Sequence, residues 1–177
     1  MHRFISRIVG AARLSALTYE EVEADSTATA QALLVVALSS ISAGLGVLRL
    51  GDGGPGVFIF VSVLAFAGWA VWALLTLQIG AGLLREPETK ADIGELLRTT
   101  GFASAPGLLR IFALIPGMTA AVFAITTVWM LLAMIVAIRQ ALDYRSTTRV
   151  VAVCAMGWLL AIVMVVVIGL LFGPALS

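Results

Sequence analysis

Four long runs of apolar residues, separated by polar breaks, organise the sequence, and no charged residue interrupts any of them. The runs cover residues 30–48, 57–84, 118–138 and 150–172. A membrane-spanning helix needs about 20 mainly apolar residues, because its rise of about 1.5 Å per residue has to cover about 30 Å of hydrocarbon. The pattern therefore predicts four full-length transmembrane helices.

A fifth apolar run, residues 102–115, is short for a full crossing and carries an arginine, Arg110. Pro116 and Gly117 follow it and predict a tight reversal, because proline cannot donate a backbone hydrogen bond and glycine adopts turn dihedrals readily. The run either crosses the membrane and forms a hairpin with the next run, or it is re-entrant, which means that it enters the membrane and returns to the same side. The second arrangement leaves only four crossings.

The distribution of basic residues favours the first arrangement, because lysine and arginine are enriched in short cytoplasmic loops. With five crossings and a cytoplasmic amino terminus, Arg49 is the one basic loop residue on the outer side. The basic residues placed inside are Arg3, Arg7, Arg13, Arg85, Lys90, Arg98, Arg139, Arg145 and Arg149. A re-entrant run would move the last three of these outside. We therefore predict an all-α integral membrane protein with five transmembrane helices, the third short and in a tight hairpin with the fourth.

Short amphipathic helices are expected on the cytoplasmic side. In residues 2–17 the apolar positions share one helical face, and Arg3, Arg7 and Arg13 lie on the other. This pattern is typical of an interfacial helix on an anionic leaflet, with its arginines near lipid phosphates. A frayed tail is the alternative, because the segment is short for an independent helix.

Two further short helices are predicted nearby. Thr18 and Glu21 have the spacing of a capping box, which indicates a helix that begins there. In the charged break before the short run, Ile93, Leu96 and Leu97 share one helical face, which indicates a helix of one or two turns on the membrane surface.

Arg110 has two interpretations. Its long side chain can extend to the outer interface or reach a carbonyl freed near Pro116. It can instead bind an anionic headgroup or a partner's carboxylate, because an intramembrane charge is a functional hypothesis by default. Our candidate contacts with lipid or a partner are Arg3, Arg7, Arg13, Arg110, Arg139, Arg145 and Arg149.

Composition excludes several function classes. The 177 residues are 61% hydrophobic and 12% charged, whereas a soluble domain has about a quarter charged residues. The net charge of +1 gives no reason to expect nucleic-acid binding. The one cysteine, Cys154, has no partner for a disulfide or a thiolate metal site, and the one histidine, His2, lies at the amino terminus, where we expect neither an imidazole metal cluster nor a Ser-His-Asp triad. The chain also begins without the pattern of a cleaved signal peptide. We expect a non-catalytic membrane protein without a metal or cofactor.

Small residues that allow close helix packing are abundant, whereas polar residues near the middle of the predicted spans are few. Pairs of small residues at four-residue spacing let helices approach closely. The pairs are Ser40 and Gly44, Ser42 and Gly46, Gly117 and Ala121, and Ala120 and Ala124. We interpret the four tryptophans as packing anchors, and the aliphatic run from Leu159 to Leu171 as a surface for lipid or a partner helix. The main hypothesis is an accessory or scaffold subunit of a membrane complex, or a membrane organiser, and the alternative is a small transporter or channel built around Arg110.

The segments "RTTGFASAPGLLRIFALIPG" and "VWMLLAMIVAIRQALDY" give the chain a family likeness. With the five predicted spans and the charged second inner loop, the sequence resembles the bacterial branch of the Yip (Ypt-interacting protein) domain family from about Tyr19 to Phe172. The most specific part is Gly101-Phe102-Ala103 with Pro106, followed by Trp129 and the exit Arg139-Gln140-Ala141-Leu142.

The resemblance implies a multi-pass protein of the bacterial inner membrane without established enzymatic chemistry. It implies a cytoplasmic segment at 1–29, one transmembrane domain at 30–173, and a tail at 174–177 on the opposite side. Eukaryotic relatives contact small GTPases through an acidic-proline signature near the amino terminus. Here the only such motif is Glu86-Pro87-Glu88, in a different place, so GTPase binding is not expected. Expected partners are anionic lipid headgroups and other integral membrane proteins, not nucleic acid.

Overall fold

All regular elements in the described part of the chain are helices. A computed structural model describes residues 2–48, 54–83, 92–144 and 146–172. Its elements are α1 (His2–Ala12), α2 (Ala16–Ala24), α3 (Ala28–Val47), α4 (Pro55–Gln78), a π-helical turn (Ile79–Leu83), α5 (Ile93–Ala103), a 3-10 helix (Ala105–Leu114), α6 (Thr119–Ala141) and α7 (Thr147–Phe172). Predictions that concern Arg49, Arg85, Lys90, Glu86-Pro87-Glu88, Arg145 and the tail lie outside the described residues.

Within the residues that the structure describes, three helices, α3, α4 and α6, are long and apolar enough to cross a membrane. They follow the first three long runs of the sequence to within a few residues at most ends. The fourth run forms α7, which is 26 residues long and includes the apolar segment Thr147–Leu160. An all-helical fold of the described residues, with three helices that could span a membrane, is therefore confirmed, and the count of five crossings stays a prediction.

The short apolar run is a 3-10 helix rather than an α-helix. It follows α5 directly, and Ser104 lies at the junction, where its N–H donates to the carbonyl of Gly101. Pro106 has no N–H to continue an α-helical ladder. Ten residues with a 3-10 rise of about 2.0 Å span about 20 Å. The chain then reverses through Gly117, whose φ of +80° suits glycine, and the 3-10 helix packs against α6.

The helix α3 lies at the centre of the bundle and contacts the 3-10 helix, α4 and α5. Glycines permit these close approaches. An added Cβ at Gly101 would lie 2.8 Å from the Cβ of Ala32, and one at Gly107 would meet the hydroxyl of Ser39. The pairs Ser40/Gly44 and Ser42/Gly46 are buried on α3, as their spacing indicates, whereas Ala120, Ala121 and Ala124 on α6 are exposed.

The predicted interfacial helix over residues 2–17 is instead a helical hairpin. The first helix ends at Ala12, Leu14 has a φ of +60°, and α2 starts at Ala16. The indole N–H of Trp129 donates to the Ala12 carbonyl at 2.7 Å, so the hairpin packs against α6. The frayed-tail alternative is therefore wrong for this segment.

The capping box is also wrong, since Thr18 lies inside α2 and the residue before the helix, Ser15, makes no side-chain cap. The helix predicted in the charged break exists as α5, capped by Asp92, which accepts from the N–H of Glu95 at 2.9 Å. It is longer than expected and packs into the bundle, with Arg98 buried and Ile93 exposed. Burial of Arg98 is possible because its donors find backbone carbonyls of α2.

Candidate functional site

A cavity of about 420 Å³ lies between α3, α4, α6, α7 and the 3-10 helix. The helix α4 packs chiefly against α3, and the cavity occupies the space between α4 and α6. Its lining residues are Val36, Ser39, Ser40, Ala65, Gly68, Trp69, Trp72, Ser104, Arg110, Met130, Leu131, Met134 and Trp158. The walls are thus apolar and aromatic, with three serines and one arginine as polar exceptions.

The tryptophans of this cavity come from two helices. Trp69 and Trp72 are buried on one face of α4, where a spacing of three residues places side chains together. The indole N–H of Trp69 donates to the carbonyl of Thr100 at 3.4 Å, which ties α4 to α5. Trp158 on α7 is 37% exposed and closes another side. The interpretation as packing anchors therefore fits Trp69 and Trp72, and Trp158 is a cavity wall.

The side chain of Arg110 reaches across to α6. Its Nε donates to the hydroxyl of Thr126 at 3.3 Å and one terminal nitrogen donates to the hydroxyl of Thr127 at 3.2 Å. The guanidinium carbon lies 5.1 Å from the ring centre of Phe123, a cation–π distance. Thr126 is seven residues into α6, so the charge lies about 10 Å along that helix from its start at Thr119. The side chain thus does not extend toward the reversal at Pro116.

Arg110 has only neutral partners in the described residues. The ion pairs found there join Arg3 or Arg7 to acidic residues, and none includes Arg110. A guanidinium has five N–H donors, and two hydroxyls accept from two of its nitrogens. The arginine is therefore a cation on the wall of an apolar cavity, beside a helix that could span a membrane, with donor capacity left for an anion.

A second polar centre lies where α1, α2 and α3 meet. Arg7, only 1% exposed, donates to Glu21 at 3.0 Å, to Asp25 at 2.6 Å and to the side chain of Gln31 at 3.1 Å. Arg3 also donates to Glu21, from an exposed position. Hydrogen bonds from Thr27 and then Arg7 hold the pKa of Asp25 well below its usual range. This cluster fixes the hairpin to the bundle and leaves Arg7 no access to a lipid phosphate.

The carbonyls near the carboxyl end of α2 are bound by Arg98. Its guanidinium donates to the carbonyl of Val22 at 3.0 Å and to that of Glu23, which also complements the negative end of the helix dipole. Burial raises the pKa of the Glu23 carboxyl to about 7, with repulsion from Glu95 and Asp143 adding to it and Arg98 opposing it. This end of the bundle therefore carries a carboxyl group that titrates near neutral pH.

The other arginines that the sequence singled out are spread over the protein. Arg13, Arg139 and Arg149 are exposed, and Arg139 donates to the carbonyl of Tyr144 at 3.4 Å. Arg145 lies outside the described residues. The structure therefore brings Arg3 and Arg7 together, leaves Arg110 alone at the cavity, and does not unite the predicted set in one site.

The cavity itself was missed by sequence reasoning. The signal available was the placement of Trp69, Trp72 and Thr76 on one face of α4 at helical spacing. The indole N–H of Trp72 and the hydroxyl of Thr76 are buried without a hydrogen-bond partner in the described residues, and both lie beside Gly157 of α7. No group of three acidic, cysteine or histidine side chains in the described ranges could hold a metal ion.

No protein-family model, curated protein or solved structure matches this chain. The resemblance to the Yip domain family rests on the residues quoted above. Function is therefore argued from the geometry of the helices and the cavity.

Proposed function

We propose that the protein is a non-catalytic, multi-pass protein of a bacterial inner membrane that works by lateral association, as an accessory or scaffold subunit or as a membrane organiser. The observation that carries this proposal is the outer ridge of small residues on α6. Ala120, Ala121 and Ala124 are exposed, although their four-residue spacing is typical of close helix–helix contact. The equivalent small residues of α3 are already buried inside the bundle.

A helix from another integral membrane protein fits this ridge better than lipid does. Small side chains allow two helix backbones to approach closely, and the gain in van der Waals contact drives association where no hydrophobic effect operates. Large apolar residues flank the ridge, among them Ile125, which is 62% exposed, and Val128, which is 58% exposed. A partner helix would therefore find a shallow groove along α6.

The topology proposed with this function has five crossings, a cytoplasmic amino terminus and a carboxyl terminus on the opposite side. Gln140 at the end of α6 donates to Glu20 of α2 at 3.0 Å, and Arg98 in the middle of α5 donates to α2. These contacts support a common side for the hairpin, α5 and the end of α6, as the basic residues indicate. Single cysteines at Glu20 and Met118, in a Cys154→Ser background, should react with a membrane-impermeant thiol reagent from opposite sides.

The test of association is native electrophoresis of gently solubilised source membranes, with mass spectrometry of the band that contains this chain. We expect stoichiometric partners, and we expect them to be lost in an Ala120→Leu/Ala124→Leu variant. Val63→Leu adds bulk at an exposed position of α4, away from the ridge, and should leave the complex intact. If the wild-type chain migrates alone, and its deletion changes no membrane assembly, the proposal is wrong.

A small transporter or channel is the second candidate, and the cavity next to Arg110 favours it. Transporters bind substrates near the membrane midplane where irregular helices line a cavity, and the 3-10 helix is such an irregular element. Purified protein in liposomes should then give an anion flux that Arg110→Ala abolishes. If the wild-type protein gives no flux for any anion tested, this candidate is rejected.

A further inference from the structure

We propose that the cavity beside Arg110 binds the acyl chain of an anionic amphiphile, whose carboxylate or phosphate group pairs with the Arg110 guanidinium. The site is separate from the α6 ridge, because it lies between α4 and α6 and faces the inside of the bundle. The proposal of a ligand site therefore does not depend on whether a partner helix binds that ridge.

The shape of the cavity suits a chain. Along the 3-10 helix it extends from Ser104 to Arg110, six residues with a rise of about 2.0 Å each, or about 12 Å. Along α4 it extends from Ala65 to Trp72, which is about 10 Å. Its volume of about 420 Å³ lies within the range of roughly 300–1,000 Å³ in which proteins bind small ligands.

The walls are chemically matched to an acyl chain. Met130 and Met134 contribute flexible thioether side chains that adapt to irregular apolar ligands. Trp69 and Trp158 contribute flat aromatic surface. Together, the tryptophan and methionine walls can bind a hydrocarbon chain, which has no polar groups that need hydrogen-bond partners.

The charge selects an anionic head. Arg110 is held at the cavity by two neutral hydroxyls at 3.2 and 3.3 Å and by the ring of Phe123. A cation at membrane depth is costly unless it is paired, and the ion pairs of the described residues all lie elsewhere. Carboxylate and phosphate oxygens match the planar guanidinium in two parallel hydrogen bonds. A bound anionic amphiphile supplies this pair from the membrane itself.

An opening to the cavity is present on α4. Gly68 lines the cavity, is exposed, and has open space where a Cβ would lie. A Cβ introduced there would have no other heavy atom within 4 Å, which leaves room for a larger side chain at the edge of the cavity. Gly68 is thus the position from which the cavity can be filled by substitution.

The experiment measures amphiphile binding to the purified full-length chain in neutral detergent by native mass spectrometry. The probes are oleate, lysophosphatidic acid, and uncharged monoolein as the head-group control. A diazirine on the acyl chain of each anionic probe locates the bound chain by peptide mapping. We expect tighter binding of one or both anionic probes, with crosslinks to Met130, Met134 or Trp158. Comparison of oleate with lysophosphatidic acid separates a carboxylate source from a phosphate source.

Two variants test the binding of the head group and the binding of the acyl chain separately. Arg110→Gln should weaken binding of the anionic probes about tenfold or more, as expected for loss of a charged hydrogen-bonded pair, and should leave binding of monoolein unchanged. Gly68→Leu should weaken all acyl probes. Val63→Phe adds bulk on the 62% exposed outer face of the same helix and should change nothing.

Three outcomes overturn the proposal. The first is equal binding of the anionic probes and of uncharged monoolein by the wild-type chain. The second is crosslinking confined to the outer faces of α4 and α6. The third is unchanged anion binding in both Arg110→Gln and Gly68→Leu. Circular dichroism and gel filtration identify a variant that fails to fold, and the crosslink map of the wild-type chain then decides alone.

Discussion

Arg7 donates to Asp25 at 2.6 Å while only 1% of the arginine side chain remains exposed. The two residues belong to the two arms of the α1–α2 hairpin, and Gln31 of α3 accepts from the same guanidinium. The amino-terminal hairpin is therefore held to the first long helix by a buried cation with satisfied donors. An arginine that the sequence placed among lipid phosphates instead organises the fold.

Loss of this cation should destabilise the protein. Arg7→Met leaves Glu21 and Asp25 without their main partner, and we expect a loss of about 2–3 kcal/mol in the free energy of unfolding, below the full value for a deeply buried pair because both carboxylates keep some solvent contact. Arg3→Met is the matched control. Its side chain is 70% exposed, so its loss should cost less than about 1 kcal/mol. Equal effects of the two variants in detergent unfolding would contradict the assigned role of Arg7.

The Glu23 carboxyl should make stability pH-dependent. Its pKa in the folded protein is about 7, above the ordinary 4.5, so the folded state keeps a proton that the unfolded state loses and stability falls as the pH rises between these values. At this half-buried group, solvent screening reduces the expected loss to about 1 kcal/mol. Glu23→Gln should abolish that loss.

The measurement is the thermal midpoint in detergent from about pH 5 to pH 8. The lowered pKa of Asp25 acts at lower pH and with the opposite sign, because stability is lost as that carboxylate is protonated. The two effects are thereby separated. A Glu23→Gln variant with the same pH profile as the wild type would show that Glu23 is not the titrating group.

Two helical glycines should respond in opposite directions to alanine. At Gly101 a Cβ would lie 2.8 Å from the Cβ and 3.2 Å from the carbonyl atoms of Ala32, so α5 and α3 must separate. We expect a cost of about 1–3 kcal/mol. At Gly68 nothing lies within 4 Å, and alanine should stabilise the helix by about 0.5–1 kcal/mol. Unfolding free energies of both variants test this, and a loss at Gly68 would show that its surroundings are more crowded than described.

Thr76 carries a hydroxyl that the described structure leaves buried without a partner. Its replacement by valine removes that unsatisfied group at nearly constant shape, so Thr76→Val should be neutral or stabilising by about 1 kcal/mol. Thr126→Val is the control, since that hydroxyl accepts from Arg110 and donates to the Val122 carbonyl at 2.7 Å. We expect it to lose stability. Destabilisation by Thr76→Val would indicate a hydrogen bond at that hydroxyl.

The long helices of this fold were predictable, because long runs of uncharged apolar residues are by themselves a strong signal for membrane helices. The bounds of α3 and α6 match their runs within three residues. The reversal at Pro116 and Gly117 also follows from local chemistry, since those residues restrict the backbone wherever they occur. Leu159 on α7 is exposed, which agrees with the predicted surface for lipid or a partner helix.

The contacts of the arginines were not predictable, because each depends on residues distant in sequence. Arg98 binds carbonyls of α2, more than 70 residues away, and Arg7 is buried only because the turn at Leu14 folds α1 back onto α2. An amphipathic pattern does not distinguish a helix on lipid from one on protein. The cavity was not predicted for a related reason, because the face of α4 that carries Trp69, Trp72 and Thr76 is equally typical of close helix packing.

The winding of the 3-10 helix determines where the charge of Arg110 points. A 3-10 helix turns about 120° per residue, so Ser104, Gly107, Arg110 and Ala113 stand in one column along its axis. An α-helix turns about 100° per residue. Over the six residues from Ser104 to Arg110, a change from one winding to the other would rotate the arginine by about 120° around the axis. The direction of the Arg110 guanidinium is thus coupled to a choice between two neighbouring backbone geometries.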